Sequence, residues 1–399
     1  MVTTKTGPDG PVPTSNRRVV ILVCDGLGVG EAPDAADYGD LGSNTLSHVL
    51  ERHPLELPHL ERLGLLALVG RGRQSGARGR ARELSAGKDT TTGHWEMVGI
   101  VTERPFPLYP HGFPPEIVEL FERQAGKEVL GNRPASGTEI IAELGAEHLA
   151  TGRPILYTSG DSVFQVACHE EIWPPERLWD LCRYARGLLT DEHRVGRVIA
   201  RPFVGRPGTF TRTANRRDFT VEPPAETWLD RVVASGRSVF GVGKIVDIFS
   251  GRGISDSVHT GSDEEGLRVT SQALKDGHAD VVFTNLVDFD SKYGHRNDAA
   301  GFAKNLALLD RLLPEVLLAM RAQDLLFLTA DHGCDATDIS TDHTREFVPF
   351  VVAGAAVRED ADLGVRQGLF DLSATAGEWL GVPAPRGESA LSAILRISR

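Results

Sequence analysis

The feature that most constrains this chain is a series of short, β-branched apolar runs separated by helical patterns. The runs span 19–24, 238–242, 280–287, 325–329 and 347–352, and the helical patterns span 264–275, 299–320 and 371–380. Runs this short and this apolar suit strands buried on both faces. Their alternation with helices predicts an α/β fold, a mainly parallel sheet sandwiched by helices.

The texture changes between 105 and 221, where prolines, Pro-Phe pairs and arginines interrupt the pattern and strands are expected at 155–158 and 196–200. This stretch reads as a smaller α/β cap domain inserted into the core, which leaves 17–104 and 222–399 as the two parts of the core domain. Residues 1–16, rich in Gly, Pro and Thr, read as a disordered leader.

Charge and cysteine usage narrow the partners. A net charge of −12 argues against nucleic acid and acidic membrane faces, although a local basic pocket remains compatible with a small phosphorylated substrate. Cys24, Cys168, Cys182 and Cys334 are scattered, so neither a thiolate metal site nor a disulfide framework is expected, and a reducing compartment fits. No apolar run approaches the roughly 20 residues that span a bilayer, and 19–24 is too short for a signal-peptide core. A cytoplasmic monomer is expected.

Several of the apolar runs end in, or lead into, potential metal ligands. Asp25 closes V-V-I-L-V-C-D-G, Asp290 and His295 lie in D-F-D-S-K-Y-G-H, Asp331 and His332 in A-D-H-G, and His343 in T-D-H-T-R-E. In open α/β sheets functional groups gather beyond the carboxyl ends of strands. Three Asp and three His suit a pair of divalent cations, an arrangement used for phosphoryl chemistry. An Asp in such a place can also simply cap the next helix, and Asp288, Asp335, Asp338 and Asp342 are near enough to be alternative ligands.

Two further segments fit phosphoryl transfer. S-A-G-K-D-T-T-T-G-H-W-E sets Thr90, Thr91 and Thr92 at a loop-to-helix transition, where free backbone N–H groups favour phosphate and a metal can activate a hydroxyl. Between Arg194 and Arg217 there are seven arginines and no acid. Strand alternation would put Arg197, Ile199 and Arg201 on one side, and guanidinium forks match phosphate oxygens. Lys244, in G-V-G-K-I-V-D-I, can add a point charge.

With these motifs in view, the chain resembles bacterial phosphopentomutases of the alkaline phosphatase superfamily. The matching stretches include V-C-D-G-L-G-V-G-E-A-P-D-A, G-K-D-T-T-T-G-H-W-E, N-R-P-A-S-G-T-E-I, Y-T-S-G-D-S-V-F-Q, G-R-V-I-A-R-P-F-V-G and F-T-R-T-A-N-R, along with the metal motifs. The resemblance implies an alkaline-phosphatase-like core and interconversion of α-D-ribose 1-phosphate, or its 2-deoxy analogue, with the 5-phosphate. It also implies two Mn2+ ions, a phosphorylated Thr90 and a sugar bisphosphate as activator. One ion would be held by Asp25, Asp331 and His332, the other by Asp290, His295 and His343. Asp161 would bind ribose hydroxyls, and Arg197, Arg212 and Lys244 the non-reacting phosphate, with Arg201 a further candidate. The family pattern usually continues A-D-H-G-N-D, whereas this chain has Cys334, and Gly160 stands where Ala is common. A phosphatase or phosphodiesterase of the same superfamily, and a non-catalytic metal- or phosphate-binding protein, are the alternative readings.

Overall fold

The computed structural model describes residues 17–73, 75–159 and 162–396. The expected leader therefore lies outside the described residues. The chain divides into two compact units, one assigned Met1–Val101, Ala225–Val246 and Gly253–Arg399, the other Thr102–Pro224 and Asp247–Arg252.

The first unit is built on an eight-stranded sheet in the order Asp256–Val258, Val239–Val242, Val281–Leu286, Arg18–Cys24, Asp324–Thr329, Val348–Ala353, Gly76–Ala81, Asp360–Arg366. The first five strands run parallel. Val348–Ala353 is antiparallel to both of its neighbours. Arg18–Cys24 occupies the centre and is buried throughout, as expected for a β-branched run with neighbours on both edges. It is tied at its start by Arg18, whose guanidinium forks onto Asp324 at 3.1 and 2.6 Å and donates to Leu274 O at 2.7 Å.

Register decides where the chemistry gathers. Cys24 pairs with Leu286, and Val23 with both Asn285 and Thr329. All three strands are parallel, so the residues that follow them leave at one edge. Asp25, the 287–290 turn and the 330–332 turn are delivered there together.

Three strands of this sheet escape the sequence pattern. Gly76–Ala81 reads G-A-R-G-R-A, without one β-branched residue, and becomes a strand by pairing on both edges. Asp256–Val258 and Asp360–Arg366 are short or polar strands at the sheet margins.

The second unit carries its own sheet, in the order Leu130–Pro134, Ile155–Thr158, Val163–His169, Arg197–Val204, Thr211–Arg212, with Arg217–Thr220 also paired to Arg197–Val204. One face packs on helices Pro115–Ala125 and Pro175–Leu188 through Phe121, Phe164, Leu178 and Cys182. The other packs on helix Gly137–Thr151 through Ile140, Ile141, Tyr157 and Phe203. Packing puts the unit edges at 102 and 224, where the sequence suggested 105 and 221. It also adds Asp247–Arg252, because Ser250 Oγ donates to Thr220 O and Arg252 Nη1 to Pro223 O. Among the described residues, no helix is long and apolar enough to cross a membrane.

Candidate metal centre

Five of the six expected ligands fall into two tight donor sets. Asp25, Asp331 and His332 form one, and Asp290, His295 and Cys334 the other, with donor atoms within 4.8 Å of one another in each set. His343 adjoins the second set, its Nε2 3.3 Å from Asp290 Oδ1 and 3.1 Å from His295 Nε2. The sulfur of Cys334 lies among the donor atoms of the second set. Scattered spacing along the chain says nothing about the turn that folds residue 334 back beside residue 290.

Local structure explains the aim of each side chain. After Val281–Leu286 the backbone makes a wide π-type turn, Phe289–Tyr293, and then a tight 3₁₀ turn, Gly294–Arg296, which closes with Asn297 at φ 50°. That reversal presents Asp290 and His295 to the same point. All three histidines donate through Nδ1 to a backbone carbonyl. His295 Nδ1 donates to Thr341 O at 2.6 Å, His343 Nδ1 to Lys88 O at 2.7 Å and His332 Nδ1 to Gly333 O at 3.0 Å. Each Nε2 is therefore the atom that faces the carboxylates and that, once free of a proton, can bind a metal.

The carboxylates need positive charge. Asp25 Oδ1, Asp290 Oδ1 and Asp331 Oδ2 are buried without a hydrogen-bond partner. Burial, then Asp331 and Asp290, raise the Asp25 carboxyl well above its ordinary range, against the pull of Lys244 and Asn285. Burial also opposes charge on Asp290 and Asp331, yet the neighbouring histidines hold both below the usual carboxylate range. Burial pushes His332 down to about 4, so its ring is a neutral donor. Orphaned carboxylate oxygens beside acceptor nitrogens fit a divalent cation at each set.

Thr90 opens helix Thr90–Met97. Asp89 caps that helix by accepting from the Thr91 and Thr92 N–H groups at 3.0 and 3.1 Å. Thr90 Oγ1 lies 3.4 Å from His332 Nε2. The hydroxyl thus sits at a helix N-terminus and beside the Asp25 set.

Sequence reasoning did not single out two supporting residues. His94, one turn after Thr90, bonds Thr90 O through Nδ1 at 2.8 Å and lies 3.2 Å from Asp331 Oδ2. Asn285 donates to Asp25 Oδ2 at 2.9 Å from inside its strand. The i, i+4 spacing of Thr90 and His94 was the available clue for the first. Nothing in an apolar run marked the second.

The expected phosphate ligands are spread over both units. Arg197 opens its strand with Nη1 3.9 Å from Asp218, and Arg201 Nε donates to Gln165 Oε1 at 3.3 Å. Arg212 lines an open cavity of about 320 Å³ with Thr138, Ile141, Phe210 and Thr211. Arg201 and Arg212 both act electrostatically on the buried Tyr157 hydroxyl. Lys244, in the first unit, is exposed and lies close enough to lower Asp25. Asp161 lies outside the described residues.

Comparison with known proteins decides among the metal enzymes that could carry such a centre. A family model described as the metalloenzyme superfamily matches residues 17–384. A phosphopentomutase of Caldanaerobacter subterraneus subsp. tengcongensis is 53% identical over 94% of this chain and 97% of its own length. One from Symbiobacterium thermophilum is 54% identical, over 92% and 95%. The chain belongs to the phosphopentomutase family. A third phosphopentomutase, from Carboxydothermus hydrogenoformans, is 52% identical over 94% of the chain and 98% of its own length. Family membership and the two donor sets together make this a divalent-metal site in an enzyme.

Proposed function

We propose that the chain is a phosphopentomutase that interconverts α-D-ribose 1-phosphate, or 2-deoxyribose 1-phosphate, with the 5-phosphate. The observation that carries the reading is the place of Thr90, whose hydroxyl stands at a capped helix N-terminus 3.4 Å from His332 Nε2. Thr90 is the proposed carrier of the phosphoryl group. In the forward half, the Thr90 Oγ1–P bond breaks as the free sugar hydroxyl attacks phosphorus, its proton passing to the released Thr90 oxygen, and a sugar 1,5-bisphosphate forms. In the return half, Thr90 Oγ1 attacks the other phosphate, and the isomerised monophosphate leaves.

Asp25, Asp331 and His332 are the proposed ligands of one cation, and Asp290, His295 and His343 of the other, both Mn2+. When bound, such a pair would supply charge neutralisation at the transferring group and lower the pKa of the Thr90 hydroxyl. The Thr91 and Thr92 N–H groups are spent on Asp89, so the cap fixes the helix start and with it Thr90. Guanidinium contacts to the non-reacting phosphate are proposed for Arg197, Arg201 and Arg212, a point charge for Lys244 and a ribose hydroxyl contact for Asp161. A sugar bisphosphate would prime Thr90, and the working form is proposed to be a cytoplasmic monomer.

The test is a coupled isomerisation assay with Mn2+ and a trace of sugar bisphosphate, run beside a phosphate-release assay on ribose 5-phosphate. Isomerisation should exceed release by a wide margin. Release at a comparable rate would replace the mutase by a phosphatase of the same superfamily.

A further inference from the structure

The motifs of the family give Cys334 no task, yet its side chain is buried and sits with Asp290 and His295 in one donor set. Three features direct the sulfur. The Cys334 N–H donates to Thr45 Oγ1 at 3.2 Å, which fixes the backbone from which the side chain springs. A Cβ on Gly294 would come within 2.5 Å of Cys334 Sγ, and one on Gly26 within 2.8 Å of Cys334 Cβ. The residue before His295 and the residue after Asp25 thus leave space for the thiol only because both are glycine. That same point on Gly26 is 3.7 Å from Asp290 Oδ1, and the Cys334 thiol hydrogen-bonds the Asp290 carboxylate. A buried carboxylate and a confined sulfur therefore border one position.

We propose that Cys334 Sγ is a donor to the cation held by Asp290 and His295, and that it biases this position toward softer divalent ions. The inference rests on the metal-dependent mutase reading and adds sulfur to an oxygen and nitrogen set. As the sulfur–metal bond forms, the thiol proton leaves to solvent and no electron changes hands. A thiol that kept only its hydrogen bond to Asp290 would leave metal choice unaltered.

The test uses the full chain, stripped with chelator and reloaded with Co2+. A cobalt–thiolate bond adds a near-ultraviolet charge-transfer band that oxygen and nitrogen donors lack. We expect that band in the parent protein and its loss in Cys334→Ser and Cys334→Asn, with the visible ligand-field bands of bound cobalt kept. In competition between Cd2+ and Mn2+, Cys334→Asn should lose preference for Cd2+ by about tenfold or more. Ligand-field bands without the charge-transfer band in the parent protein would overturn the proposal, even if neither variant folds. Persistence of the band in the variants would overturn it as well. Failure of cobalt to bind at all would instead remove the metal centre, and with it the reading on which the proposal rests.

Discussion

His295 Nε2 lies 3.1 Å from His343 Nε2, and each ring spends its Nδ1–H on a backbone carbonyl. Two lone pairs cannot face each other at that distance without a proton or a cation between them. Burial disfavours charge on His343, but Asp290 and Asp25 outweigh it and push the ring up to about 10 from 6.5. Chelated protein should therefore hold a proton on His343 at pH 8, and metal must displace it. Titration calorimetry in buffers of different ionisation enthalpy should show at least about one proton released as the centre fills. The raised value also sets a sign for stability: the contribution of charged His343 is complete below about 6.5 and fades as pH climbs through about 10. Melting of the chelated protein should fall across that window. Metal uptake without proton release would contradict this account.

Thr90 is the proposed covalent carrier, so Thr90→Ala should cut isomerisation on the order of 10⁴-fold or more while leaving metal content unchanged. Intact mass after exposure to a sugar bisphosphate should show a phosphoryl adduct on the parent protein alone. A stable adduct on the Ala variant would move the carrier elsewhere.

Gly93 lets the Thr90 helix approach the metal turn. A Cβ there would lie 2.3 Å from Asp331 O and 2.9 Å from Asp331 Cβ, and neither atom can yield without shifting a strand end. Gly93→Ala should therefore cost about 1–3 kcal/mol by overpacking and lower kcat by moving Thr90 away from His332. A variant with parental kcat and melting temperature would show that the helix and the turn are less tightly joined.

How much of this was legible depends on what each residue contacts. The 19–24 and 325–329 runs announce strands because the sheet buries both of their faces, and Asp25 and Asp331 follow from the same pattern, since a strand delivers its next residue to the edge. Gly76–Ala81 was illegible, because its strand character comes from the two strands it pairs with and not from its own side chains. His94 and Cys334 lie close in sequence to Thr90 and His332, and what stayed hidden was the helix face and the turn that aim them at Asp331 and Asp290. Asn285 was hidden because one polar residue in a buried strand looks like an imperfection until its amide is seen donating to Asp25.

Arg197 offers a separate check on substrate recognition. If it grips the non-reacting phosphate, Arg197→Ala should raise KM for ribose 5-phosphate roughly 10- to 100-fold, the range for one lost hydrogen bond to a charged group. The change in kcat should be smaller. Unchanged KM and kcat would remove Arg197 from the pocket.

Arg345 links the metal motif T-D-H-T-R-E to the loop that carries Thr90. Its guanidinium is buried and donates to Glu83 Oε2, Ser85 O and Gly87 O, each at 2.9 Å, and to Asp34 Oδ2 at 3.0 Å. Burial already raises Glu83 well above its ordinary range, and Arg345 is the main charge drawing it back. Arg345→Met leaves Glu83 buried without its cation, so stability should fall by about 3–5 kcal/mol at a pH where the parent ionises Glu83. The sign with pH follows: below the parent's raised folded-state pKa, Glu83 is protonated with or without Arg345, so its part of the deficit appears only as pH climbs through that raised value and vanishes on acidification. Denaturant melts over a pH series from about 5.5 into the alkaline range should show the deficit growing toward the alkaline end, and adding Glu83→Gln should recover part of the loss at that end only. The Ser85 and Gly87 carbonyls lose their donor in either variant, so kcat should stay low after stability is recovered. A deficit that ignores pH would mean that Arg345 stabilises the loop through its carbonyl contacts alone.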